Sequence, residues 1–563
     1  MNADLHSCRY LGAIAVRRQT VISGIACFVV LLLWQVPVLA FLDVISGTVV
    51  SVSRSTGQVV VQLRGKTQRR SFRVTTGTRM TLDGKKVPIA QVEKGQLINA
   101  FVNGTSASRV LLRTDPDKKA ESTTPKPSKP ANSPVGMPDS KPSTTSKKSP
   151  RRRRTGTASA ASGMPTTAGS ATSSGEWNQF RGPNRDNVSP ETGLLSEWPG
   201  SGPELAWTAT GIGEGYSSVA VSNGRLFTMG NRDRAEAVTA IDLATGREIW
   251  SVATGREYRE GQGNGPRGTP TIVDGRLYAL GGNGDLACLE VESGNIVWKK
   301  NILQDFGGSN ITWGISESVL VDGDRLICTP GGSRGTMVAL NRNTGSPIWT
   351  AQVPGNPRAA YSSAIAVEVG GVRQYVNYTH AGVIGVRASD GRVMWGREES
   401  ANSTANCSTP VFFQNHVFTA SGYNTGGALF QLQSRGGMTG AQPVFQTREM
   451  KNHHGGMVVV DGFLYGCDNS ILKCINLRNG QVAWESRSVG KGSVTCADGH
   501  LYVRSEDGPV ALVEVSSREY IEKGRFDQPR RSGRPAWPHP VVADGKLFLR
   551  DMDTLLAYDV KSP

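Results

Sequence analysis

The stretch Ala240-Ile241-Asp242-Leu243-Ala244-Thr245-Gly246, followed by Trp250, decides the fold of this 563-residue chain. It combines a small residue, a turn of the form Asp/Asn-x-x-Thr/Asn-Gly and a tryptophan. Similar stretches return roughly every 45 residues, and short strands repeated at such a period are typical of a β-propeller. The copies lead to Trp250, Trp298, Trp349, Trp395 and Trp484.

A second landmark counts the repeats. Asn-Gly and Asp-Gly pairs supply the positive φ angles that tight hairpin turns require. Eight turns of this kind recur along the repeat region: Asn223-Gly224, Asp274-Gly275, Asp322-Gly323, Gly370-Gly371, Asn415, Asp461-Gly462, Asp498-Gly499 and Asp544-Gly545. The sequence therefore predicts an all-β fold, an eight-bladed β-propeller with four-stranded blades. The blades around 428–445 and 510–520 have lost their tryptophan.

The two ends of the repeat region are complementary. The last blade has three strands and ends at residues 555–560, whereas residues 204–208 read as an isolated outer strand that carries Trp207. Pairing this N-terminal strand with the last blade would close the ring and leave no exposed edge.

Charge and composition divide the chain into four segments. The formal net charge of +16 is distributed as +2 over residues 1–42, +9 over 43–113, +7 over 114–175 and −2 over 176–563. We expect a signal peptide or N-terminal membrane anchor in 1–42, a small basic all-β module in 43–113, a disordered Pro/Ser/Thr/Lys-rich linker in 114–175 and the propeller in 176–563. Nucleic-acid binding is disfavoured because the basic residues lack the aromatic side chains on which bases stack.

The first segment resembles an export signal. Arg17 and Arg18 precede an uncharged run over residues 21–42, and Val38-Leu39-Ala40 fits a signal-peptidase site. The run is also long enough to anchor the chain in the inner membrane. Both alternatives place the later residues outside the cytoplasm, in the periplasm or secreted.

The second segment alternates apolar and polar residues, for example Val59-Val60-Val61-Gln62-Leu63, and contains the hairpin signals Asp83-Gly84 and Asn103-Gly104. It predicts a small β-barrel-like module, OB-like or similar. The basic run at residues 147–154 of the linker would contact anionic membrane lipids or wall polymers.

The cysteines do not form a metal-binding pattern. Cys288 and Cys474 align with Ala240 and are expected to be small buried residues. Cys467 and Cys474 flank a tight turn, so a disulfide between them is an open alternative. The chain has no Cys-x-x-Cys spacing, and no metal site is predicted.

These repeats resemble the pyrrolo-quinoline quinone (PQQ)-type propellers, a group that includes quinoprotein alcohol dehydrogenases and the non-enzymatic outer-membrane assembly lipoprotein BamB. Residues 177–183 (WNQFRGP) and 490–494 (GKGSV) are similar to secreted planctomycete PQQ-like propeller proteins. The resemblance implies the fold of residues 177–560. If the chain were one of the quinoprotein enzymes, the resemblance would also imply a vicinal cysteine pair, a tryptophan beneath the quinone, and carboxylate and amide ligands to Ca²⁺. The cysteine pair is missing here.

A ligand site would be built from the starts of the inner strands, which line the central channel. Aromatic, basic and amide side chains occur there and would suit an anionic or planar ligand. The candidates are Tyr216, Arg267, Trp313, Tyr361, Asn406, His453, His454, Lys491, Trp537 and His539. Because side chains alternate along a strand, the adjacent His453 and His454 are expected to point to opposite faces.

No reactive constellation stands out, and no catalytic residue is assigned. The first hypothesis is an extracytoplasmic binding or scaffolding propeller that presents its rim to a protein or an envelope polymer. The alternative is a quinoprotein-like oxidoreductase that uses PQQ and Ca²⁺ to dehydrogenate alcohols or sugars.

Overall fold

The computed structural model describes residues 43–63, 68–82, 85–94, 96–103, 106–113 and 175–563. These residues fall into two compact units, one before and one after residue 148. The predicted signal or anchor, the predicted linker and the Asp83-Gly84 turn lie outside the described residues, as does Gly104. Among the described residues, no helix is both long and apolar enough to cross a membrane.

The first unit is a small barrel. Its elements are β1 (Asp43–Ser53), β2 (Gln58–Leu63), β3 (Arg69–Leu82), β4 (Lys85–Lys86), a 3-10 turn (Ile89–Gln91), β5 (Leu97–Asn103) and β6 (Ser106–Arg113). Strand β1 pairs with β2 and β5, β2 pairs with β3, and β6 pairs with β5 and, in parallel, with β3. Five strands therefore surround a core that contains Val59, Phe72 and Ile98. This arrangement agrees with the predicted OB-like barrel.

The second unit is built from eight sheets within residues 175–563, which we number sheet 1 to sheet 8 in chain order. Their strands pair antiparallel, except for one short parallel strand at the edge of sheet 7. Sheets 1 to 4 contain β9 (Ala220–Ser222), β10 (Arg225–Arg232), β11 (Ala235–Asp242), β12 (Glu248–Arg256); β13 (Thr271–Val273), β14 (Arg276–Leu280), β15 (Asp285–Glu290), β16 (Ile296–Asn301); β17 (Leu320–Asp322), β18 (Arg325–Cys328), β19 (Met337–Asn341), β20 (Pro347–Ala351); β21 (Ile365–Val369), β22 (Val372–Thr379), β23 (Gly382–Arg387) and β24 (Val393–Arg397). A short helix, α1 (Ile302–Phe306), follows β16.

The remaining sheets complete the all-β architecture, so the predicted fold class is confirmed. Sheets 5 to 8 contain β25 (Val411–Phe413), β26 (His416–Ser421), β27 (Gly426–Arg435), β28 (Met438–Thr447); β29 (Met457–Val460), β30 (Phe463–Asp468), β31 (Ile471–Asn476), β32 (Val482–Ser486); β33 (Gly492–Ala497), β34 (His500–Ser505), β35 (Pro509–Glu514), β36 (Glu522–Asp527); and β37 (Val541–Ala543), β38 (Lys546–Asp551), β39 (Thr554–Asp559). Two earlier strands join them: β7 (Val188–Ser189) pairs with β33, and β8 (Glu204–Thr210) pairs with β39.

Sheet 8 packs against sheet 1. The strand that carries Trp207 is the outer strand of sheet 8, and Val221 and Ile241 of sheet 1 share one buried cluster with Phe548 and Leu555 of sheet 8. The first and last repeats are therefore neighbours in space, as the complementary ends of the sequence predict.

The repeat tryptophans join neighbouring sheets. Four of the tryptophan rings, and the Phe445 ring, lie against the turn glycine of the following sheet, where an added Cβ would come within 2.6–2.9 Å of the ring. The pairs of this kind are Gly246 with Trp207, Gly294 with Trp250, Gly345 with Trp298, Gly391 with Trp349 and Gly480 with Phe445. Phe445 therefore takes the place of the tryptophan that sheet 5 lacks. The indole N–H groups of these four tryptophans add hydrogen bonds to the next sheet, for example from Trp349 to the Ala388 carbonyl at 3.0 Å. Trp395 differs, because its indole N–H donates to Gln374 within its own sheet.

Sheet 7 receives its missing ring from the segment that precedes β8. Gly524 lies opposite Leu512 at the register position where sheet 6 has Trp484 opposite Cys474. Trp198 packs on Gly524 and contacts Phe526 edge-on, with ring centroids 5.4 Å apart. A residue distant in sequence thus fills the gap in the repeat.

The six described cysteines are free thiols, and the open disulfide alternative is wrong for this structure. The register places Cys467 opposite Leu472, and Cys474 opposite Tyr465. The two thiols are therefore not cross-strand partners. Cys288 and Cys474 are fully buried, as predicted for small core residues.

Candidate functional site

Hydroxyl side chains link the inner ends of the sheets around the central channel. The Thr269 hydroxyl accepts from the Ser218 amide at 3.1 Å, and the Ser318 hydroxyl accepts from the Thr269 amide at 2.9 Å. The Ser363 hydroxyl continues the series by accepting from the Ser318 amide at 2.9 Å. These bonds fix the loops just before the inner strands, which are the loops that carry the predicted site residues.

The segment 177–189 crosses the channel and contacts inner strands on several sides. Arg185 donates to the carbonyls of Ser318 and Val319 in sheet 3, whereas Arg181 donates to the Met457 carbonyl in sheet 6. Both guanidinium groups are buried, which lowers the pKa of Arg181 to about 10 and that of Arg185 to about 9. This segment therefore closes the channel below the site, and its Phe180 lines the cavity above it.

A cavity of about 410 Å³ lies over this segment, and we call it the cup. The cup is within the size range of small-ligand pockets. Nine of the ten predicted site residues line it. They are Tyr216, Arg267, Trp313, Tyr361, His453, His454, Lys491, Trp537 and His539. Their placement together follows from the fold, since each precedes or begins an inner strand; whether they bind a ligand stays a prediction.

Asn406 is the predicted residue that does not line the cup. Its buried amide donates to the Thr379 carbonyl at 3.2 Å, and its oxygen accepts from the Asn402 amide at 2.8 Å. The side chain therefore fastens two loops, and its neighbour Cys407 faces the cup instead. Cys407 could have been found from the sequence, because Cys407-Ser408-Thr409 occupies the same repeat position as Tyr361-Ser362-Ser363.

Aromatic rings form one wall of the cup and pack against one another. Trp537 lies between Tyr216 and His454, with ring centroids 4.4 Å and 4.5 Å away. The Arg267 guanidinium lies 5.5 Å from the centre of the Tyr216 ring and pairs with Glu260 at 2.9 Å. The wall is therefore rigid, and its principal cation is already neutralised.

The two adjacent histidines do not point to opposite faces, so that expectation is wrong. They lie in a loop that ends before β29, and their ring centroids are 3.6 Å apart. The Asn452 side chain shapes this loop by donating to the carbonyls of Gly456 and Cys467. Strand alternation does not apply because the residues are not in a strand.

Glu506, which the sequence did not single out, organises the basic side of the cup. Its carboxylate lies 3.2 Å from His454 Nδ1 and 3.1 Å from Lys491 Nζ. Lys491 Nζ is also 3.2 Å from His453 Nδ1. Burial is the main cause that lowers the pKa of His454 and lowers that of His453 to about 2, so both imidazoles are neutral near pH 7.

His539 links neighbouring parts of the propeller through hydrogen bonds at both of its ring nitrogens. Its Nε2–H donates to the His454 carbonyl at 2.8 Å, and its Nδ1 accepts from the Asn187 amide at 3.1 Å. Burial lowers its pKa to about 4. With both ring nitrogens engaged, this histidine holds the cup together rather than offering a free atom to a ligand.

The cup does not fit PQQ with Ca²⁺. Calcium takes six to eight oxygen ligands, but among the residues that line the cup the only carboxylate is Glu506, which is engaged by Lys491 and His454. The one cysteine in the lining, Cys407, is followed by Ser408, so there is no vicinal pair. Trp537 is covered on two sides by other rings. The residues therefore do not support the oxidoreductase alternative.

Comparison with known proteins identifies the family. A family model described as outer membrane protein assembly factor BamB matches residues 188–312 and 234–486, which together extend over more than half of the chain. The chain belongs to this family. Its PQQ-type repeats and its propeller architecture are those that the sequence resemblance predicts.

The individual proteins and solved structures that this chain resembles are distant in sequence. Outer membrane protein assembly factor BamB of Shewanella oneidensis is 24% identical over 378 residues, covering 63% of this chain and 88% of that protein. The crystal structure of BamB from Moraxella catarrhalis is 14% identical, covers 64% of this chain and 98% of that chain, and has a TM-score of 0.45. Quinohemoprotein alcohol dehydrogenase from Comamonas testosteroni is 11% identical, covers 69% of this chain and 80% of that chain, and has a TM-score of 0.48.

Proposed function

We propose that this BamB-family chain is an extracytoplasmic binding propeller that holds a segment of a partner protein in the cup. The observation that carries the proposal is the composition of the cup. Tyr216, Trp313, Tyr361 and Trp537 line it together with Arg267. Tryptophan, tyrosine and arginine are the residue types most enriched at the energetic centres of protein interfaces.

The fixed positions of the aromatic side chains in the cup also favour the binding of a partner. Hydrogen bonds and ring contacts hold the wall in place, so a partner would lose little free energy in ordering it. Tyr423 lies at the cup and is 45% exposed, although its ring contacts His453. A half-exposed aromatic residue beside a concave aromatic wall is a suitable first contact for a polypeptide.

The family supports the same conclusion. The relatives are named as outer membrane protein assembly factors, which implies that they act on proteins in the cell envelope. By this relationship the chain would work outside the cytoplasm, in agreement with the export signal predicted in residues 1–42. The basic N-terminal third would contact anionic lipids or wall polymers of the envelope.

Filling the cup tests the proposal. Ser316 lines the cup, and Ser316→Trp would place an indole ring inside it. The control Ser346→Trp places the same side chain on an exposed outer turn. We expect quantitative mass spectrometry, with isotope-labelled samples, of the proteins co-isolated with the full-length chain to show at least a tenfold loss of the partner for Ser316→Trp. No loss, or an equal loss for both variants, would contradict the proposal.

A further inference from the structure

Three metal-ligating side chains meet at the cup. Cys407, His453 and His454 each contribute a ligand atom, and these atoms lie within 4.8 Å of one another. It is the one group of three or more His, Cys, Asp or Glu ligand atoms that close together in the part of the chain that the structure describes. The three residues come from the loops before β25 and β29, which belong to adjacent sheets.

The two imidazoles have ring nitrogens available. Glu506 accepts from His454 Nδ1–H, which leaves the Nε2 lone pair of His454 free to bind a metal. Pairing with a carboxylate is the usual way in which proteins orient a histidine ligand. His453 Nε2 is buried and has no hydrogen-bond partner among the described residues. A buried ring nitrogen without a partner is rare in folded proteins, and a bound ion would satisfy it.

The charges around the group also permit a cation. Lys491 is the nearby cation; it lies 3.2 Å from His453 Nδ1 and 3.1 Å from Glu506. When His453 binds a metal through Nε2, the ring proton moves to Nδ1. Because an Nδ1–H and an ammonium are both donors, Lys491 must then turn away from His453 and keep Glu506 alone as its partner. The half-buried Cys407 thiol lines the cup, and a metal would replace its proton. The resulting thiolate and the Glu506 carboxylate offset two of the three positive charges that a divalent ion and Lys491 carry.

We propose that Cys407, His453 and His454 form a binding site for a single borderline or soft divalent cation, of which Zn²⁺ is the reference. A thiolate with two imidazoles selects Zn²⁺ or copper over Mg²⁺ and Ca²⁺. Three protein ligands leave the fourth tetrahedral position open toward the cup. This inference does not depend on the proposed partner binding.

The geometry requires a small adjustment. Zn–N and Zn–S bonds in a tetrahedral site place the ligand atoms roughly 3.3–3.7 Å apart. The present separation of up to 4.8 Å must therefore shorten by about 1 Å. All three ligands lie in loops rather than in strands, so the movement needs no change in the sheets.

Cobalt titration of the purified, reduced full-length protein tests the site directly. We expect saturation at one Co²⁺ per chain, tetrahedral ligand-field bands and a thiolate-to-Co²⁺ charge-transfer band, all abolished by added Zn²⁺. The absence of a saturable charge-transfer band in the wild-type protein would overturn the proposal. This readout does not depend on whether any variant folds.

Variants then assign the ligands. Cys407→Ser should remove the charge-transfer band, and His454→Gln should weaken binding at least tenfold. Two controls are matched to these changes: Cys288→Ala, because alanine occupies the same repeat position in sheets 1 and 3, and His416→Gln on sheet 5. A charge-transfer band that persists in Cys407→Ser, or that disappears equally in Cys288→Ala, would overturn the assignment.

Glu506 serves as a positioning residue for His454. Glu506→Gln should weaken Co²⁺ affinity about 10–100-fold and yet retain the charge-transfer band, because the three ligands remain. Loss of the band with native thermal stability would show that Glu506 itself binds the metal, and the three-ligand assignment would be wrong. Unchanged affinity would overturn its positioning role.

Discussion

Trp198 packs directly on Gly524: a Cβ added to Gly524 would lie 2.5 Å from the Cβ of Trp198. The outer strand of sheet 7 therefore depends on a ring supplied from more than 300 residues earlier in the chain. Since Trp198 is 5% exposed and contacts Tyr502 and Phe526, the segment before β8 is part of the propeller core.

Truncation of this ring should destabilise the propeller. We expect Trp198→Ala to lower the free energy of unfolding by about 3–5 kcal/mol, because it leaves a large cavity at sheet 7. Urea unfolding followed by circular dichroism measures the change. Leu205→Ala, at a 40% exposed outer-strand position, is the control and should cost far less. Equal effects would contradict the structural role of Trp198.

Alanine substitutions at two glycines can separate the stability cost of backbone strain from the cost of overpacking. Gly391 has a φ of 75° and its added Cβ would lie 2.6 Å from the Trp349 ring, whereas Gly371 has a φ of 74° and nothing within 4 Å. We expect Gly371→Ala to cost about 1–2 kcal/mol from the left-handed backbone alone. Gly391→Ala should cost a further ~1–3 kcal/mol from overpacking.

Removal of the Trp349 ring should abolish the difference in stability cost between Gly391→Ala and Gly371→Ala. In a Trp349→Ala background, Gly391→Ala should cost no more than Gly371→Ala costs in the wild-type protein. Denaturant unfolding of the four variants completes this cycle. A Gly391→Ala penalty that stays the same without Trp349 would show that the repeat tryptophan does not pack as described.

The buried Glu236 makes the free energy of unfolding depend on pH. This fully buried carboxylate accepts from the Gly282 amide, with Asp285 and Arg267 nearby, and burial is the main cause that raises its pKa to about 8 from 4.5. Between these values the folded state retains a proton that the unfolded state releases. The stabilisation is therefore complete below about pH 4.5 and is lost as pH rises toward 8.

Glu236→Gln should flatten this dependence. We expect the slope of unfolding free energy against pH between 5 and 8 to become less negative by up to about 1.4 kcal/mol per pH unit. Glu317, whose pKa burial raises to about 7, would keep part of the slope. The exposed Glu292→Gln controls for loss of charge. An unchanged or steeper slope in Glu236→Gln would contradict the burial argument.

The fold could be predicted because the repeat is made by local contacts. Trp207, Trp250, Trp298 and Trp349 each pack on a glycine about one period later, so both residues of the contact recur in the sequence. Trp198 could not be predicted as the missing ring of sheet 7, because its contact with Gly524 has no sequence periodicity. The same applies to Arg181 and Arg185, whose partners lie in different sheets.

The sequence predicted where in the fold the site residues lie, but it did not predict which side chains contact one another there. Nine candidates reach the cup because strand starts line the channel in this architecture. The directions of side chains in loops could not be derived from the sequence. For this reason the expectation that His453 and His454 point to opposite faces was wrong. Glu506 follows β34 rather than beginning an inner strand, so its position offered no sign of a role in the cup.

Photo-cross-linking in cells tests the central claim, that the cup holds a partner protein, most directly. A benzophenone amino acid would replace Tyr423 at the cup or Val444 on the outer strand of sheet 5, positions that are 45% and 46% exposed. The account predicts a discrete adduct with one envelope protein from position 423, lost in the Ser316→Trp background, and none from position 444. Equal adducts from both positions, or no adduct from 423, would contradict it.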